Sequence, residues 1–310
     1  MLNYSVAELR LSIPEGGVGE GWQTILRSKN IYGPYEKKVV LEQGNTTVNG
    51  PHQGALVDTP EGEWWFFHFQ LTEPLGRVVH LQPVCWMENW PVIGVDMDMN
   101  GIGEPVKVWT KPGVSKSVLV SHPQTTDDFN SYTLGLQWQF NHNPVNTHWS
   151  LNERRGWLAL KALKAATLRE SRNMLTQKCM GYLSTATVLL DFSALADGQR
   201  GGLFCTGSLY NGIGISREEG KNYLYLEKNG DVQQVKMVSG KKIYLRVMLD
   251  AKKNRCQLFY SFDNRNFILC GDAYSLKFGD WKGARVGLYS YNTLGIGGKC
   301  YFDWFNYDFN

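Results

Sequence analysis

The chain has 310 residues, room for about two domains at roughly 100–200 residues each, so a single short module is excluded. Hydrophobic residues make up 43% and charged residues 20%, and no apolar run approaches the roughly 18 residues of a membrane-spanning helix. The formal charge of +3 gives no field suited to a polyanion, so the sequence reads as a chain with neither nucleic-acid nor membrane partners.

With 11 Trp, 15 Tyr and 33 Gly, the composition favours strands joined by tight turns, and the fold class is all-β. The first residues, MLNYSVAELRLSIPEGG, hold Glu8, Arg10 and Glu15 and lack the apolar core of a secretory signal; the compartment is not readable. From Gly21 the pattern is strand, turn, strand: GWQTILRS, KNIYGPY, EKKVVLEQ. After the loop GNTTVNGPHQG come ALVDT, the turn PEGE, WWFFHFQ, a turn at EPLG, and RVVHLQPV. The two stretches share a length and layout that radial blades of antiparallel sheet would have, and together they delimit residues 1–95.

Residues 96–126, rich in Gly, Pro, Ser and Thr, read as a linker. From Asp127 to the last residue, about a dozen short strands return, among them TLGLQWQF, STATVLLDFS, KIYLRVMLD and KCYFDWFNY, which is the size of a two-sheet sandwich. The six cysteines are scattered without a C-x-x-C pair and read as free, mostly buried thiols. No G-x-S-x-G, H-E-x-x-H or phosphate-loop pattern is present.

The segments GGVGEGWQTILRSKNIYGPYE, NGPHQGALVDTPEGEWWFFHFQ, GRVVHLQPVCW and WPVIG closely resemble glycoside hydrolase family 43, the β-xylosidase and α-L-arabinofuranosidase group. DDFNSYTLGLQWQFNHNP, SRNMLTQKCMGYLSTATVLLDFS and FDWFNY resemble that group's C-terminal concanavalin-like sandwich. The resemblance implies a partial five-bladed propeller, its last two blades or so, followed by the sandwich. It implies inverting hydrolysis of O-glycosyl bonds in xylo- or arabino-oligosaccharides, with one carboxyl protonating the leaving oxygen and another activating water. The family's acid and base lie on earlier blades, so the resemblance implies a C-terminal portion without catalytic residues. Glu8 and Glu15 are rejected as the acid because neither sits in the family's Glu-Gly-Pro setting. The alternative is a non-catalytic, carbohydrate-binding or propeller-supporting module.

The resemblance places His52 on the pocket axis, in ring or water contact with a central cation, and Arg77 beside the sugar. Trp22 is nominated for stacking on a sugar face. His68 and His80, inside strands, read as partnered core residues. His142 and His148 lack a third metal ligand. DMDMNG imitates the start of a calcium loop, but Lys107 stands where that loop needs Glu. Asp128 and Asp303, with Asp127, are the candidates for a structural calcium where the first and last sandwich strands meet; the chemistry itself needs no cofactor. An incomplete propeller leaves an open edge, and self-association through it is expected.

Overall fold

The computed structural model describes residues 8–113, 121–277, 282–295 and 297–310. Their regular structure is strand, apart from two single 3-10 turns at Asn146–His148 and Leu168–Glu170. Of the described residues, 8–72 and 77–113 form one compact unit, and 73–76 with those from 121 onward form a second. Among the described residues no helix is long and apolar enough to cross a membrane. All six cysteines are free, five buried and Cys85 exposed.

The first unit holds two antiparallel sheets. One runs β1 (Leu9–Glu15), β2 (Trp22–Ser28), β3 (Glu36–Leu41) in order. The other runs β4 (His52–Asp58), β5 (Trp64–Thr72), β6 (Gly76–Met87), β7 (Trp90–Ile93). Glu88 and Asn89 both take positive φ, the conformation that a two-residue hairpin needs, and so join β6 to β7. Ile25, Val40 and Leu41 from the first sheet pack with Phe66, Trp90 and Ile93 from the second, so each sheet buries one face on the other. The chain leaves this unit later than residue 95, because backbone bridges pair Val95 with Glu104 and Leu41 with Gly103.

The second unit is a sandwich of two eight-stranded sheets. One runs Ile268–Leu269, Arg255–Ser261, Lys242–Asp250, Leu183–Asp191, Lys299–Phe309, Leu158–Lys161, Trp149–Ser150, with Tyr274–Ser275 beside Arg255–Ser261. The other runs Asp231–Met237, Lys221–Lys228, Tyr210–Glu218, Gln199–Thr206, Arg285–Asn292, Leu175–Lys178, Gln139–Phe140, with Leu163–Lys164 beside Arg285–Asn292. Two-residue turns at Glu219–Gly220 and Asn229–Gly230, all at positive φ, close consecutive hairpins of the second sheet. Val188, Leu245, Val247 and Phe302 from one sheet and Leu203, Ile213, Leu224 and Leu288 from the other are fully buried. Alternate residues of that second sheet, Phe204, Tyr225, Tyr289 and Tyr291, bury themselves with Leu168 and Met174, so the loop carrying Leu168 covers its opposite face. Asp127 bonds through its backbone to Phe305, and the Thr125 hydroxyl donates to the Tyr307 carbonyl, which ties the unit's first residues to its last strand.

Candidate functional site

His52 opens β4 and is 1% exposed. Two glycines make its setting. Gly50 sits at φ +48, and a Cβ there would run into the Val18 carbonyl, so only glycine fits. A Cβ on Gly21 would lie 2.6 Å from the His52 ring, so the bare backbone of residue 21 is what lets the imidazole seat. Nδ1 lies 2.7 Å from the Gly50 carbonyl; the bond makes Nδ1–H the donor and leaves the lone pair on Nε2.

Across the ladder His52 pairs with Phe69, and their rings lie 5.5 Å apart at 52°. Arg77 enters from β6, its guanidinium carbon 4.4 Å from the centre of the same Phe69 ring. Desolvated contact with an aromatic face favours a guanidinium. The Arg77 Nε is buried and has no hydrogen-bond partner among the described residues. The structure thus joins two of the three residues expected at the pocket, through an aromatic ring. Phe69 carries no motif signal of its own in the sequence, although the two-residue period of WWFFHFQ sets Trp65, Phe67 and Phe69 on one face.

Trp22 follows Gly21, whose backbone abuts the His52 ring, and its own side chain is engaged elsewhere. Its indole Nε1 donates to Glu15 at 3.0 Å, and the ring stands against Gly16. Glu15 also accepts from Thr24 and Lys37, and the Lys37 bond first, then Thr24, holds its carboxyl down at about 2. A general acid needs the opposite shift. Glu8 is paired with Arg10 at 2.6 Å.

The carboxylates expected at a structural calcium, Asp128 and Asp303, each have other neighbours in this structure. The Asp128 carboxylate is taken by Asn130, whose side-chain bond lowers its pKa. Burial raises the Asp303 carboxyl, and the charges acting on it are Lys242 and Arg154, which oppose a cation. Asp127 accepts from the Phe129 N–H, the Gln137 amide and the Trp138 indole. Among the described residues no three His, Cys, Asp or Glu side chains cluster as a metal site. His52 offers one nitrogen where calcium takes six to eight oxygens, so these residues do not hold an axial cation by themselves. The DMDMNG segment closes on itself instead, with Asp96 and Asp98 accepting backbone N–H groups from Asn100 and Asp96 also from Gly101. His142 lies against the Arg169 carbonyl and His148 against Thr147.

Blade-like sheets followed by a two-sheet sandwich, with an imidazole and a guanidinium on one aromatic ring, place the chain among propeller-and-sandwich β proteins. Residues 9–91 match the family described as glycosyl hydrolases family 43, and residues 126–308 match its beta xylosidase C-terminal concanavalin A-like domain. The chain belongs to this family. It is 52% identical over 277 residues to a putative beta-xylosidase of Xylanibacter ruminicola, covering 89% of this chain and 52% of the relative. It is 40% identical over 319 residues to a beta-xylosidase of Formosa agariphila, covering 93% and 53%. The crystal structure of the family 43 protein BlXynB from Bacillus licheniformis superposes with a TM-score of 0.83 at 26% identity, over 99% of this chain and 63% of that one. The chain spans about half the length of the curated relatives it matches.

Proposed function

We propose that the chain supplies one wall of the sugar pocket of a hydrolase that cleaves O-glycosyl bonds in xylan or arabinoxylan fragments with inversion. The observation that carries this reading is Arg77, a guanidinium seated on Phe69 beside His52 with a buried, unanswered Nε. A buried donor without a partner costs free energy that a ligand oxygen recovers, and a guanidinium makes paired bonds to sugar hydroxyls or a carboxylate.

Inversion needs two carboxyl groups roughly 6.5–9.5 Å apart across the bond. In this reading neither is supplied by these residues. Glu15 stays ionised down to about 2 and is bonded to Lys37, Thr24 and Trp22, while Glu8 is bound to Arg10.

The test is hydrolysis of nitrophenyl β-xyloside and nitrophenyl α-L-arabinofuranoside by this chain, alone and mixed with the N-terminal half of the Xylanibacter ruminicola relative. Expected are no turnover alone and turnover in the mixture that falls by about 100-fold or more with Arg77→Ala. Turnover by the chain alone overturns the reading. The second reading, a non-catalytic sugar-binding or propeller-supporting module, predicts xylo-oligosaccharide binding without turnover in either arrangement.

A further inference from the structure

In the second unit, a cavity of about 250 Å³ opens at the end of the strand Arg285–Asn292. Arg285 lines it and is only 7% exposed, yet its partners are neutral. Nε donates to the Thr176 hydroxyl at 2.7 Å and Nη2 to the Gln139 amide oxygen at 2.8 Å; Nη1 has no partner among the described residues. A buried charge without a counter-charge is unfavourable and calls for one.

The surroundings add positive charge. Lys282 lines the cavity, and Lys178 stands opposite Arg285 in the strand register. Arg169 lies 5.6 Å from the ring centre of Tyr210, another lining residue. Burial first, and Arg285 second, lowers the pKa of Lys178, as crowded cations do. No Asp or Glu is among the described residues that line the space. The Tyr210 hydroxyl accepts from Asn141 at 3.0 Å, which leaves its own O–H to donate.

We propose that this cavity is a binding site for a small oxyanion, the carboxylate of an acidic sugar or inorganic phosphate. Arg285 receives it from below, Lys282 from the rim and Tyr210 from the side. Its volume falls below the roughly 300–1,000 Å³ of pockets that enclose drug-sized ligands, so it admits one phosphate or one sugar-sized group rather than a chain of them. The site stands independently of the hydrolase reading.

The full chain is titrated calorimetrically with D-glucuronate, inorganic phosphate and D-glucose at constant ionic strength. Saturable binding of an oxyanion and none of glucose is expected. Lys282→Glu, at an exposed position that leaves the fold intact, weakens binding by about tenfold, and Arg285→Lys, which keeps a cation but loses Nη1 and the bonds that hold the guanidinium in place, weakens it further. Tighter glucuronate binding identifies the acidic sugar as the source, and tighter phosphate binding identifies free phosphate. The proposal is overturned if the folded chain binds neither anion, or if Lys282→Glu binds as tightly as the unchanged chain.

Discussion

His68 is a buried base with both ring nitrogens already engaged. Nδ1–H donates to the Phe69 carbonyl at 3.0 Å, and Nε2 faces the Gln82 amide nitrogen at 3.2 Å. Gln82 cannot turn its amide over, because its oxygen accepts the Val106 N–H at 2.8 Å. A second proton would therefore meet a donor, and burial lowers the His68 pKa to about 4, with His80 and His52 adding to the shift and the Phe69 carbonyl opposing it. Below its unfolded pKa of about 6.5, the unfolded chain takes up a proton that the folded chain refuses. Stability of the first unit should thus decline as pH falls from 6.5 to 4, by up to about 3 kcal/mol for His68 at roughly 1.4 kcal/mol per pKa unit. Urea unfolding at pH 7, 5.5 and 4 reads this as a falling midpoint, flattened by His68→Gln. Equal midpoints at the three pH values would contradict the account. Glu15 acts in a lower window: its carboxyl is depressed to about 2, so what it contributes is present above its ordinary value and is lost as pH falls towards 2.

At the scale of the element, the site depends on a bulge. Ala55 pairs with Phe67 and His52 with Phe69, so Gln53 and Gly54 together oppose the single residue His68. Continued without that extra residue, the Ala55–Phe67 register would set Gln53, not His52, opposite Phe69. Gln53 takes φ +56 to make the bulge, and a Cβ on Gly54 would strike the Phe67 carbonyl and the Phe66 ring. Gly54→Ala should cost about 1–3 kcal/mol by overpacking, whereas Gln53→Gly should relieve about 1 kcal/mol of backbone strain. Thermal unfolding orders the three chains: Gly54→Ala lowest and Gln53→Gly no lower than the parent. An unshifted Gly54→Ala midpoint would show that the backbone opens there at no cost.

The bulge also marks what the sequence can and cannot reveal. KIYLRVMLD alternates cleanly and STATVLLDFS carries a continuous apolar run, and both form strands where expected, Lys242–Asp250 and Leu183–Asp191. NGPHQG reads as loop because Gly and Pro mark turns, yet the strand starts at His52, since a bulge carries no signature in hydrophobic alternation. TLGLQWQF forms strand only at Gln139–Phe140, because the Gln137 and Trp138 side chains are drawn to Asp127. Motif resemblance points to His52 and Arg77; Phe69, which joins them, follows from cross-strand register. The surroundings of Asp128 and Asp303 are likewise beyond local pattern. The first residues and last strand of the sandwich do lie side by side, but which cations surround Asp303 depends on pairings beyond any local pattern.

For the whole molecule, exposed apolar side chains occur on both units, among them Met237, Ile268 and Leu269 on edge strands of the sandwich. In the sandwich each sheet buries a face on its partner, and the second sheet's other face is covered by the Leu168 loop. In the first unit β1 pairs only with β2 among the described strands, which leaves an edge ready to pair with another chain. Val57, Phe67, Val79 and Met87 on β4 to β6 are exposed apolar side chains, Val79 at 67%. The net charge of +3 offers little repulsion to keep copies apart. Residues 121–310 alone should sediment as a monomer and unfold in one cooperative transition, because the two sheets they form bury their faces on each other. The full chain should associate as its concentration rises through roughly 1–100 µM, and Phe67→Lys with Val79→Lys should return it towards monomer by charging the exposed faces. Sedimentation velocity on the three samples decides the matter: a full chain that stays monomeric throughout, or a sandwich that associates equally, would remove the first unit as the source of self-association.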